Sequence, residues 1–430
     1  LGCADILGIK DRSLESDASS GESAGSLEAG TSGLEESGSP VAESGLVASG
    51  GATDASSGSS GSPAGASGAP ARDAAATGAS ANDAAASGAP SGSTGSTSDG
   101  SASGGEVSAG LDAQSPTCNE CVLMATSLDH PFAIVSDAAR VYWTEFGDDT
   151  GSSNGTVKAC PLSGCGDSPI VYAQAQLNPR GIAVDAENVY WETAEYGNIN
   201  GAIWSCPLSG CASPTPIEQA IQPYGIAVDS GFVYWTDYDD GSTHKWSKTD
   251  HTDQVLYDGM SSVMIFGVQH CAVDSNYVYE TDYNADVYRI PILGGNAVQL
   301  VTDGQNGVWP VLAVGSTVYY GTSGSIRTIP IAGGTNPKVL ANVVDPDGLS
   351  LDPSTNTLYW SDWGSGTATD GTVGKIDLTS GTKVIMASAL ATPEDVTISG
   401  DYAYWLSNGT LDKTSGSAFA GTGALMRAPK

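Results

Sequence analysis

The first 117 residues contain no phenylalanine, tyrosine or tryptophan, so all 5 Phe, 17 Tyr and 9 Trp of this 430-residue chain lie beyond them. A Ser-, Gly- and Ala-rich stretch without large apolar side chains cannot offset its chain entropy by burial, which predicts disorder for residues 11–117. Basic residues are scarce as well: 16 Lys and Arg stand against 49 Asp and Glu, for a net charge of −33. The deficit runs through both parts, with 15 acidic and 3 basic residues before Cys118 and 34 and 13 from there on. So few cations exclude nucleic acid as a partner, because its phosphates are held by Lys and Arg. No run of 18 apolar residues is present, so no helix is expected to span a membrane. There are four histidines and no G-x-S-x-G elbow, H-E-x-x-H pair or P-loop. The sequence thus carries no ready-made catalytic motif, and the chain is read as non-enzymatic with no cofactor.

What is present is a repeat. Gly225 to Asp237 reads G-I-A-V-D-S-G-F-V-Y-W-T-D, two β-rich runs split by an Asp-Ser-Gly turn, the pattern of an antiparallel hairpin. Its tyrosine recurs as Tyr142, Tyr190, Tyr234, Tyr279, Tyr319, Tyr359 and Tyr404, at spacings of 40 to 48 residues. That period belongs to propellers and solenoids built from four-stranded units. The runs are continuously apolar, not alternating, so each sheet is expected to be covered on both faces, as a blade is by its two neighbours. The last repeat has room for three strands only, the third at Ala424 to Ala428. Val122 to Thr126 resembles the fourth strands and is expected to supply the missing one, closing the ring without an exposed edge. The fold class read here is an all-β, seven-bladed β-propeller over residues 118–430, preceded by the low-complexity linker and by residues 1–10.

The second-strand residues resemble the YWTD β-propellers of low-density lipoprotein receptors; the tetrad is complete at Tyr234 to Asp237 and nearly so at Tyr359-Trp360-Ser361-Asp362. The G-I-A-V-D first strands resemble NHL-type and streptogramin-lyase-like propellers. The receptor family implies six blades, which stands as the alternative to seven. The opening Leu1-Gly2-Cys3 is similar to the end of a bacterial lipobox, which implies lipidation at Cys3 and membrane attachment by a lipid anchor alone, at the cell surface or in the periplasm. As a flexible coil, the linker would span roughly 55 Å, enough to hold a folded head clear of a membrane.

Cys160 and Cys165 flank a short turn, as do Cys206 and Cys211, and Cys118 and Cys121 form a third local pair. Three local disulfides are expected, in an oxidising compartment, with Cys271 left as a buried, inert thiol. Zinc held by Cys118, Cys121 and a later pair is the alternative.

The turns before each first strand should rim the channel mouth: Phe132, Arg180, Tyr224, Gln269, Trp309, Asp347 and Glu394. On the same face, loops between second and third strands carry carboxylates and rings, among them Glu145, Phe146, Asp148, Asp149, Glu195, Tyr196, Tyr238, Asp239, Asp240, Tyr283, Asp286, Trp363 and Asp370. This acidic-aromatic face is expected to bind a peptide, protein or glycan, with the chain a monomer. A rim His270 joined by Asp347, Glu394 or Asp395 is the alternative, a propeller lyase or lactonase. A third reading is a structural module of cell-envelope assembly. Calcium at Asp237, Asp239 and Asp240 lacks the EF-hand spacing.

Overall fold

The computed structural model describes residues 117–430, apart from 119, 148–152, 195–199, 212, 262, 266, 285, 303–309, 367–368 and 410–420. Cys3 and residues 11–116 of the linker lie outside the described residues, while Thr117, expected to be disordered, is in a strand. The strands form seven antiparallel sheets, each running inner, second, third, outer. The inner strands are Pro131–Ser136, Pro179–Val184, Pro223–Val228, His270–Val273, Val311–Val314, Pro346–Asp352 and Pro393–Ser399. Each meets the next, and that of blade 7 returns to that of blade 1, so the ring closes. Seven blades, not six, are present.

The closing strand is the expected one. Val122–Leu128 pairs with Gly423–Pro429, with Val122 opposite Arg427 and Thr126 opposite Ala424. Just before it, the two-residue strand Thr117–Cys118 adds to the outer edge of blade 6, Thr117 opposite Ser388. The Cys118–Cys121 disulfide lies between these two strands, which serve neighbouring blades.

The core lies between blades. Successive residues of the Val-Tyr-Trp run point to opposite faces, so the tyrosine of one blade meets the tryptophan of the next. Tyr142 packs with Trp191, Tyr190 with Trp235 and, across the seam, Tyr404 with Trp143. Burying such a ring removes roughly 150–250 Å² from water, on the order of 5 kcal/mol. The same tyrosines are fixed from the turn. Asp137, Asp185, Asp229 and Asp274 each accept a Tyr hydroxyl on Oδ2, at 2.8 to 3.0 Å. Their Oδ1 atoms accept the N–H groups two and three residues on, the Asx turn that makes Asp-x-x-x-Val-Tyr a hairpin signal.

Two further ties repeat around the ring. On the face carrying the third-to-outer turns, a cation of one blade donates to a turn carbonyl of the next. Arg140 Nη1 reaches Leu208 O at 2.9 Å and Lys245 Nζ reaches Ile292 O at 2.9 Å; Arg289 reaches Ile331 O, and Arg427 crosses the seam to Leu162 O. Each accepting residue follows the proline of a Pro-Leu or Pro-Ile turn. On the opposite face, glycine at the start of a third strand admits the proline that opens the next inner strand. A Cβ on Gly201 would lie 2.4 Å from Pro223 Cδ, and one on Gly423 would lie 2.8 Å from Pro131 Cδ. Any side chain there would push two blades apart.

The three expected disulfides are present, with Cα separations of 5.6, 5.4 and 5.7 Å, so Cys118 and Cys121 are bonded to each other and the zinc alternative lapses. Among the described residues Cys271 is the free cysteine, partly buried in the inner strand of blade 4.

Candidate functional site: the mouth of the ring

The first residues of the inner strands gather where the strands begin, on the face that also carries the second-to-third loops. In blades 1, 2 and 7 the residue before the opening proline is held at positive φ: His130 at 48°, Asn178 at 42° and Thr392 at 37°. Such angles are costly for residues with a Cβ and mark a backbone held by its surroundings. A register shift follows in each of these strands, and the next side chain is Phe132, Arg180 or Glu394.

Across blades 1 to 3 the mouth is aromatic and cationic. Arg180 is buried, its guanidinium carbon 4.1 Å from the Tyr224 ring centroid and 5.6 Å from that of Phe146. Phe132 reaches over blade 2 to Tyr224, 6.5 Å between centroids, and Tyr224 packs on Tyr238 at 5.4 Å. Gln269 begins blade 4 and is buried, with no partner for its Oε1 among the described residues. Trp309 lies outside the described residues, as do Asp148, Asp149, Glu195 and Tyr196.

Blades 6 and 7 contribute carboxyl groups. Glu394 is buried, and its Oε1 accepts the Trp363 indole N–H at 2.7 Å and an Asn408 amide N–H. Burial, and then the charge of the hydrogen-bonded Asp347, push the Glu394 carboxyl well above its ordinary range. Asp395 accepts the Ile134 N–H of blade 1 at 3.1 Å, and burial raises it to about 7. These three acids therefore form one group. His270 is not joined to it: among the described residues it forms no ion pair, and burial alone lowers it to about 4. Among the described residues no carboxylate orients this imidazole.

Several loop acids are structural. Glu145 is buried at the end of a strand, where it pairs with Lys158 at 2.7 Å and accepts the Trp143 indole N–H at 2.9 Å; it is not an exposed loop group. Asp286 is likewise buried and accepts from Tyr288 and Gln299. Asp237 accepts the Gln222 N–H at 2.8 Å, Asp240 accepts the Ser242 N–H at 2.8 Å, and exposed Asp239 faces the Gln222 amide. Among the described residues no three His, Cys, Asp or Glu side chains converge on a point that could hold a metal ion.

Blade 3 holds a trio that its sequence does not announce. Ser242 Oγ lies 3.0 Å from His244 Nε2, and His244 Nδ1 lies 2.8 Å from Asp253 Oδ2. Those distances suit a nucleophile, base and orienting acid. Asp237 Oδ2, however, also faces Nε2 at 3.6 Å. Burial opposes charge on the ring, yet Asp253, Asp237 and Asp240 together raise its pKa. A ring biased toward imidazolium has no lone pair for the serine proton, so the trio works as a tie within the blade. Lys158 with Glu145, and Trp204 with Thr193 at 2.9 Å, occupy the same place in blades 1 and 2.

Glu192 and Glu280 were legible only by aligning the repeats. Glu192 replaces the Thr or Ser of its neighbours, and Glu280 replaces a tryptophan. Burial raises both to about 8.

No family model matches the sequence, and no curated protein matches it. Among solved structures, one chain of a crystal structure of a nidogen/laminin complex is 18% identical, with a TM-score of 0.40, over 54% of this chain and 96% of that one. A computationally designed protein, Ika8, is 13% identical, with a TM-score of 0.45, over 71% and 99%. The seven-bladed architecture of this chain is read from its own sheets.

Proposed function

We propose that the chain is an extracytoplasmic binding module that takes a peptide or protein at the mouth of its ring and performs no chemistry on it. The observation that carries this reading is the make-up of the mouth. Deeper in, the inner strands are small and aliphatic, as in Ile182-Ala183-Val184, whereas their first residues include Phe132, Arg180, Tyr224, Gln269, Asp347 and Glu394. A fold held by ties between its blades has no structural need for so varied a set at one opening, and rigid scaffolds with polar and aromatic mouths are where such folds bind. Three disulfides support the compartment. Attachment through Cys3 rests on the lipobox-like opening.

A photoreactive amino acid at Tyr238 or Asp239, on the mouth face, tests the reading in intact cells. A control goes at Leu293, 85% exposed on the third-to-outer turn of the other face. Cross-linking to one peptide or protein from the mouth positions and not from Leu293 supports it. Equal labelling from both faces, or none from the mouth, refutes it.

A further inference from the structure

We infer that the mouth receives a carboxylate, and that Arg180 is the group that holds it. This rests on the binding reading above and names the chemistry of the ligand.

Other cations of the ring have partners. Arg289 and Arg427 stack on aromatic rings, Tyr277 at 5.0 Å and Tyr402 at 4.4 Å, as Lys245 does on Phe232 at 3.9 Å. Each also donates to a turn carbonyl of the next blade, as Arg140 does. Stacking plus a carbonyl settles these three cations, and carboxylates settle Lys158, Lys248 and Lys430. Arg180 has the stacking, on Tyr224 and Phe146, and lacks the carbonyl. It is only 1% exposed, its Nε and Nη1 have no hydrogen-bond partner, and it enters no ion pair among the described residues. Arg289 and Arg427 share an unpartnered Nε. The unpartnered Nη1 sets Arg180 apart, and Arg180 also lies on the opposite face, where no blade tie uses it.

Glu192, on the adjacent strand, does not supply the missing partner. The Arg180 charge reaches Glu192 and favours its ionised form, but no ion pair joins the two: Oε1 accepts the Gly181 N–H at 3.0 Å, and burial, the larger effect, favours the neutral form. A permanently charged guanidinium is thus buried with donors unspent, an arrangement that folded proteins avoid unless a partner arrives. A carboxylate matches the planar fork of donors, and the flanking rings would shield the pair from water. The carboxylate could be an Asp or Glu side chain or a peptide C-terminus, since the guanidinium reads the group they share.

The test uses the full chain with its arginine Nε–H groups observed by NMR. The probes are acetyl-Ala-Asp-Ala-amide, its Asn counterpart, and acetyl-Ala-Ala-Ala with a free C-terminus. A saturable shift of the Arg180 signal with either acid, and none with the Asn peptide, is expected; the stronger acid shows whether a side chain or a terminus is read. Arg180→Gln should weaken acid binding by about tenfold or more. Arg180→Met, which removes an unpaired charge while keeping the bulk, should raise the melting temperature of the peptide-free chain while abolishing binding. Equal binding of the Asn peptide, no saturable shift with either acid, or a melting temperature lowered by Arg180→Met would each overturn the assignment. Cross-linking at the mouth that persists in Arg180→Gln would leave the binding face standing and remove only the carboxylate.

Discussion

In blade 4 Glu280 stands where blades 1 to 3 carry a tryptophan, and its Oε2 accepts the hydroxyl of Thr243 from blade 3 at 2.9 Å. One interface of the ring thus replaces an apolar ring with a buried carboxyl group whose second oxygen has no partner among the described residues. Glu280 and Glu192 are raised by burial to about 8, against about 4.3 for an unfolded glutamate. Between those values the folded chain holds more protons than the unfolded one, so stability falls as pH rises. Melting temperature is expected to decline from about pH 5 to about pH 8. Glu280→Gln keeps the Thr243 contact without the charge, so it should flatten that decline and raise the melting temperature at the alkaline end. A melting temperature unchanged by Glu280→Gln at both ends would show that the carboxyl is not held neutral.

The same surroundings bear on Cys271. Burial, then Glu280 and Glu192, push its thiol well above the ordinary value, so little thiolate forms near neutral pH. Iodoacetamide should leave Cys271 unmodified in the folded chain and label it promptly once the chain is unfolded. Unreduced peptide mapping should find the remaining described cysteines in three local pairs. Rapid labelling of Cys271 in the native state would contradict this.

Thr392 offers a stability test. It is fully buried at φ 37°, and its hydroxyl has no partner among the described residues. Glycine pays no Cβ penalty there, so Thr392→Gly should stabilise by about 1 kcal/mol, a rise of about 2 °C in melting temperature. The same change at Thr397, within a strand, should destabilise. Calorimetry on the two variants decides; a loss at Thr392 would mean that methyl packing outweighs the backbone term.

The ring was legible because its signals are local and repeated. The Asp-x-x-x-Val-Tyr turn is visible in one repeat, and its return at 40 to 48 residues gives the blade count. The strand that closes the seam was legible from the fourth strand that the last repeat lacks. Which rim residues would meet was not, because contacts such as Phe132 with Tyr224, or Trp363 with Glu394, join different blades. Spacing along the chain does not encode those distances. Glu145 misled for a related reason: its place beside a loop is plain in sequence, whereas its pairing with Lys158 depends on strand register.

Closure can be tested at Ala125, which is 1% exposed where blades 7 and 1 meet. Ala125→Asp would bury an unpaired charge, at a cost on the order of 4 kcal/mol. It should also free the edge of Gly423–Pro429 for aggregation. Urea unfolding and limited proteolysis should show an early loss beginning at the seam. The control Val122→Asp, at a position 43% exposed on the same strand, should leave both nearly unchanged.

The path of the chain at that seam has a mechanical consequence. Thr117–Cys118 is attached to blade 6 by two residues, while Val122–Leu128 completes blade 7, and a disulfide ties Cys118 to Cys121 between them. A pull on the chain ahead of Thr117 would first peel the short strand, a small sacrificial release. The load would then fall on the one joint where the two ends of the wheel are fastened without a covalent link, so traction, sooner than heat, would decide how such a ring opens.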